Sequence, residues 1–122
     1  MQSDKETNLN NRDYESIDSE EISLEKKVTN NLRKVIDPEI GINIVDLGLI
    51  YNVETNEEND VQVLMTLTAP NCPFGEMILM ESEMAVRSVK EVNLAKINLT
   101  FDPPWNPEIH VSDEAKYQMG IL

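Results

Sequence analysis

The sequence predicts an α+β domain: a small three-stranded mixed sheet with helices packed on one face, in the order helix, strand, strand, helix, strand, short helix. Three observations predict it. Two runs of alternating apolar residues, Val45 to Val53 and Val61 to Leu67, lie on either side of a polar turn. Apolar residues at helical spacing precede the first run and follow the second. A third alternating run, Ala95 to Phe101, then calls for a right-handed crossover, so the last two strands run parallel.

Residues 1–21 stand apart from this pattern. Seven acids (Asp4, Glu6, Asp13, Glu15, Asp18, Glu20 and Glu21) face only Lys5 and Arg12, a net charge of −5, and apolar residues are few. Such a segment cannot bury enough surface to offset its ordering entropy, so it reads as a disordered acidic tail ahead of a domain over 22–122. The first helix follows from Leu24, Val28, Leu32, Val35 and Ile36, with Ser19 or Ser23 as its cap. Asp37-Pro38 should stop it, because the residue before proline avoids helical angles. Val45, Leu47, Leu49, Tyr51 and Val53 form the first strand, Thr55 to Asp60 the turn, and Val61, Val63, Met65 and Leu67 the second strand. Met77, Ile78, Met80, Met84, Ala85 and Val89 give the second helix, and its methionines read as core filler. Ala95, Ile97, Leu99 and Phe101 make the third strand, ended by Asp102-Pro103-Pro104. A last helix starts at Ser112, an N-cap followed by Asp113 and Glu114.

Charge narrows the function. Ten basic against 23 acidic residues give a net charge of −13, which repels phosphate backbones and anionic bilayers alike. Nucleic acid and membrane are therefore not expected as partners. No apolar run reaches the roughly 18 residues that span a bilayer, and the polar N-terminus shows no secretory signal. A single cysteine allows no internal disulfide and points to the reducing cytoplasm.

That cysteine, Cys72, sits in the segment Thr66-Leu67-Thr68-Ala69-Pro70-Asn71-Cys72-Pro73, where a strand hands over to a helix. A thiol just before a helix faces unpaired N–H groups and the positive end of the helix dipole, which favour the reactive thiolate. The topology brings other groups to the same end of the sheet. The Asp102-Pro103-Pro104-Trp105 segment leaves the parallel third strand there, and the antiparallel first strand begins there with Asp37, Glu39 and Asp46 close by in sequence. The gathered inventory is a thiol, carboxylates, the Thr66 and Thr68 hydroxyls, an indole and His110. Each has a plainer reading: Asp37-Pro38-Glu39 as a helix stop, Asp46-Leu47-Gly48 as a bulge, Trp105 as a cover for the core, and His110 as a solvated loop residue.

Four segments together resemble the metal–sulfur cluster biosynthetic family, which includes bacterial SufT-like proteins, the phenylacetate-degradation accessory protein and the targeting component of cytosolic iron–sulfur assembly. They are Asp37-Pro38-Glu39-Ile40-Gly41, Ile44 to Tyr51, Met65-Thr66-Leu67-Thr68 with Cys72-Pro73, and Leu99 to Trp105. The resemblance covers roughly residues 24 to 118 and implies a factor that matures or delivers iron–sulfur clusters to client proteins. It implies Cys72 as the functional thiol, a transient metal or cluster ligand, with Asp37, Glu39, Asp46 and the Asp102–Trp105 loop in support. It also implies scaffold or carrier proteins and client apo-enzymes as partners. Clusters are normally held by four thiolates, so one cysteine per chain cannot retain one; a homodimer could share a labile cluster, or the chain could act as an adapter holding none. The residues alone also admit an enzyme with Cys72 as nucleophile and an Asp or His110 as base, a mononuclear metal site of Cys72, Asp and His110, and a plain interaction module.

Overall fold

The computed structural model describes residues 22–121, and the expected acidic tail, residues 1–21, lies outside the described residues. Helix α1 spans Leu24–Leu32. Ser23 caps it, its Oγ accepting from the Lys26 N–H at 3.2 Å, and Val28 and Leu32 are its buried face. The helix stops four residues earlier than its apolar spacing suggests. Val35 is reached through a tight turn (Val35 N–H to Leu32 carbonyl, 3.1 Å), and Ile36–Asp37 is extended as strand β1. Pro38 forces Asp37 out of helical angles. The extended pair then finds a partner in β2, Ile42–Asn43, to which it is antiparallel. Ile36, counted on the helical face by spacing, is 45% exposed on this ribbon.

The main sheet has the order β3-β4-β5, with β3 at Ile50–Thr55, β4 at Val61–Met65 and β5 at Ala95–Leu99. β3 and β4 pair antiparallel; β4 and β5 pair parallel, as a crossover requires. The hairpin turn is organised by Asn56, whose Oδ1 accepts the N–H groups of Glu58 and Asp60, both at 2.9 Å. Along β4 the pleat is plain: Val61, Val63 and Met65 are buried while Gln62 and Leu64 face outward. The first strand is shorter than the alternation from Val45 implies. Val45 to Gly48 is a turn in which Asn43 accepts from the Asp46 N–H at 2.9 Å and Gly48 takes φ +80°. Leu47 and Leu49 are buried there without belonging to a strand.

Helix α2, Gly75–Arg87, is the crossover from β4 to β5 and packs beside α1 on the inner face of the sheet. Asn31 of α1 donates to the Ala85 carbonyl and to Ser88 Oγ at the end of α2, tying the two helices together. The buried residues of α2 are Gly75, Ile78, Ser82 and Val86. Met80 and Met84 are 59% and 60% exposed, so they are surface residues, not core filler. Spacing alone misassigns them because Met77, Met80 and Met84 form a second apolar stripe, on the side of the helix opposite the buried one.

Two short helices close the chain: α3, Pro107–His110, and α4, Asp113–Met119. Ser112 caps α4 by accepting from the Ala115 N–H at 3.1 Å. Ser112→Ala is expected to cost about 1 kcal/mol of stability, read as a lower midpoint in urea at unchanged slope. α3 is absent from the sequence expectation, although Asn106-Pro107-Glu108 carries its signal. Asn106 Oδ1 accepts from the Glu108 N–H at 3.0 Å, and proline fits the first helical position. Among the described residues no helix is long and apolar enough to cross a membrane.

Candidate functional site

Three stretches of chain meet at one end of the sheet. Beyond β4, the Thr66 N–H donates to the Leu49 carbonyl and the Thr100 N–H to the Met65 carbonyl, both at 2.8 Å. The exit of β4, the entry to β3 and the exit of β5 are thus stitched side by side. The β4 exit leads to Cys72 and the β5 exit to Asp102, as the parallel pairing requires.

Cys72 lies in two successive tight turns. Its N–H donates to the Ala69 carbonyl at 3.2 Å, and its own carbonyl accepts from the Gly75 N–H at 3.1 Å. The thiol is free and half-buried, against the edge of the core. Phe74, the residue at the helix start, offers no side-chain cap. The start of the helix is tight at Gly75: a Cβ there would stand 2.8 Å from Leu67 Cδ1, which would have to shift, and 3.9 Å from Cys72 Cβ. Glycine therefore lets the helix start close against Leu67 and beside the cysteine. Among the described residues no carboxylate or imidazole hydrogen-bonds the Cys72 sulfur.

The β5 exit is pinned back over the entry to β3. Thr100 Oγ1 accepts from the Asp102 N–H at 3.1 Å, and Asp102 itself is exposed. The Tyr51 hydroxyl donates to the Pro103 carbonyl at 2.8 Å, and the Trp105 Nε1–H to the Leu47 carbonyl at 2.7 Å. Trp105 packs on the core, in line with its plainer reading. His110 is not simply solvated. Its ring lies 5.2 Å from that of Tyr51, and its Nδ1 accepts from the Asn106 N–H at 2.8 Å. Burial pushes the Tyr51 phenol above its usual range, with the Thr66 hydroxyl acting against that shift.

The acids separate into three situations. Asp37 is 1% exposed; its Oδ1 accepts the N–H groups of Glu39 at 2.9 Å and Ile40 at 3.3 Å, which fixes the turn after β1. Its Oδ2 is buried with no partner among the described residues, a costly arrangement for a carboxylate. Asp46 is an architectural clasp. It takes Arg33 at 2.6 Å on Oδ1 and Asn43 at 3.0 Å on Oδ2, while its carbonyl accepts from the Ser112 N–H at 2.8 Å. Glu39 is exposed and contributes its backbone. Thr66 is fully buried and Thr68 half-buried.

Among the described residues no group of three or more His, Cys, Asp or Glu could hold a metal ion. The mononuclear site of Cys72, Asp and His110 is therefore not assembled: Asp46 is committed to Arg33, and His110 Nδ1 to the Asn106 backbone. The open groove of about 330 Å³ between α1 and α2, lined by Val35, Met84 and Ala85 among others, does not include Cys72.

The sequence-family model described as iron–sulfur cluster assembly protein matches residues 25–99, the stretch that holds both the ribbon and the Cys72 loop. The chain belongs to that family. A Porphyromonas gingivalis protein named Fe-S protein maturation auxiliary factor is 46% identical over 106 residues, spanning 87% of this chain and 100% of that one. The Staphylococcus aureus maturation auxiliary factor SufT is 38% identical over 87 residues, 71% of this chain and 98% of its own. Among solved structures, a Bacillus anthracis domain of unknown function superposes with a TM-score of 0.76 at 39% identity, covering 81% of this chain and 93% of that one. The α+β fold expected from the strand and helix periodicities is the fold of this family.

Proposed function

We propose that this chain is an iron–sulfur cluster assembly factor that helps mature client proteins in the cytoplasm, with Cys72 taking part in cluster transfer. The observation that carries the reading is the placement of Cys72. It is a free, half-buried thiol in a tight loop at the sheet end where three stretches of chain meet, within a member of the iron–sulfur assembly family. The names of its relatives, Fe-S protein maturation auxiliary factors, support the same role.

The chemistry sets the kind of role. Thiolate sulfur suits iron–sulfur clusters, but a single thiol in one chain leaves most of a cluster's coordination to others. The cluster is accordingly cargo rather than a resident group. Its other ligands come from a donor carrier, from the accepting apo-enzyme, or from Cys72 of a second copy in a homodimer. A cluster held through so few of this chain's atoms leaves easily, which suits delivery. In this reading Asp37, with the Glu39 N–H, fixes the turn after β1, and the Asp102–Trp105 loop, pinned over the entry to β3, supports the sheet end from which the Cys72 loop leaves.

The test is made in cells. Deleting the gene is expected to lower aconitase activity per aconitase protein, most under iron limitation or oxidative stress, and the wild-type chain is expected to restore it. Unchanged activity under both stresses would overturn the maturation role.

A further inference from the structure

The side of α2 turned away from the core carries a stripe that the site does not use. Met77, Met80 and Met84 are three and four residues apart and stack along one side of the helix. Met77 is half-buried, and Met80 and Met84 are more than half exposed. At one end the stripe approaches Phe74, an exposed aromatic two residues after Cys72. At the other, Met84 opens onto the groove floored by Val35 and Ala85. Long, unbranched, polarizable side chains held out into water adapt to partners of varied shape.

Charge says which partner. Helix α2 bears Glu76, Glu81 and Glu83 against a single base, Arg87, which pairs with Glu83 at 3.4 Å. Among the described residues Lys34 is the one cation lining the groove, and Glu81 lines it too. The whole chain carries −13. A second copy therefore meets the stripe with repulsion, and so do residues 1–21 with their net −5. A segment with an apolar face and basic flanks is matched on both counts and steered by the field. From this we infer that the methionine stripe of α2 is a docking surface for a basic amphipathic helix of the client polypeptide, an inference that rests on the maturation role above and adds the partner's chemistry. Docked along the stripe, such a helix runs toward Phe74 and brings its own protein to the Cys72 loop.

The probe is a fluorescein-labelled helical peptide of leucine and lysine, about 16 residues long, with leucines on one face. The wild-type chain is expected to bind it saturably at physiological salt and to ignore the matching leucine–glutamate peptide. A Met80→Ser, Met84→Ser double variant keeps the net charge and changes only side chains that are more than half exposed. It is expected to melt like the wild type and to bind about tenfold or more weakly. Equal affinity in the two proteins overturns the inference, because the attraction is then charge alone. Self-association of the wild type that the double variant abolishes also overturns it, by giving the stripe to a second copy. In deletion cells the double variant is expected to restore less aconitase activity than wild type. Full restoration, where deletion itself lowers activity, removes client docking from the stripe and leaves the maturation role intact. If deletion has no effect, the maturation role falls, and the client assignment of the stripe falls with it.

Discussion

Gly48→Ala is expected to destabilise the domain by about 3 kcal/mol or more, a large fraction of the roughly 5–15 kcal/mol that holds a domain of this size folded. Two effects add. Gly48 has φ +80°, where an L side chain costs about 1–2 kcal/mol. A Cβ built there would also stand 2.0 Å from the His110 carbonyl oxygen and 2.5 Å from its carbon. Those atoms are backbone and cannot rotate away. Relief requires α3 to lift from the entry to β3, at the expense of the Trp105–Leu47 and Ser112–Asp46 hydrogen bonds and the Tyr51–His110 contact. Each hydrogen bond lost adds about 1 kcal/mol. Gly41 supplies the control, since it has φ +83° and a Cβ added to it would meet nothing within 4 Å. Gly41→Ala should therefore show the conformational cost alone, about 1 kcal/mol. Urea unfolding of both variants separates the terms. Equal losses at the two sites would mean that α3 yields freely and the clasp over β3 is unimportant.

That clasp marks the boundary of what the sequence makes legible. Periodicity locates α2, β4 and β5 because each keeps one face in the core, and the crossover rule then makes β4 and β5 parallel without further information. The gathering of the Cys72 and Asp102 loops at one end of the sheet follows from that pairing. Periodicity fails where a side chain is buried for some other reason. Leu47 and Leu49 alternate like a strand but are buried in and just after a turn that Asn43 and Gly48 build. Val35 continues the spacing of α1 after the helix has ended, because Pro38 and the β2 partner draw the chain straight. Met80 and Met84 extend an apolar stripe that nothing among the described residues covers. Hydropathy records a preference for burial and says nothing of whether a neighbour arrives to satisfy it. The acids show the same limit. Asp37 and Asp46 are alike as motif residues, yet one has a buried oxygen with no partner among the described residues and the other pairs with Arg33 at the end of α1. Only the positions of distant segments separate them.

Cys72→Ser is expected to abolish function while leaving the fold in place, and this pairing of outcomes gives the variant its value. The residue is half-buried in a loop whose hydrogen bonds run through its backbone N–H and carbonyl, both of which serine keeps. Serine is slightly smaller, so no overpacking follows, and the stability change should stay within about 0.5 kcal/mol. The chemistry changes completely. A serine hydroxyl retains its proton at neutral pH and offers iron a hard oxygen in place of a soft sulfur. In cells lacking the chain, the variant should leave aconitase activity per aconitase protein at the level of the deletion, although it accumulates and melts like the wild type. Reduced accumulation would instead assign the thiol to packing. Full restoration by a stably folded Cys72→Ser protein would remove sulfur from the mechanism and leave an adapter that binds both partners. In that case the methionine stripe of α2, rather than the cysteine loop, becomes the part of the surface on which maturation depends, and the double methionine variant should then be the one that fails.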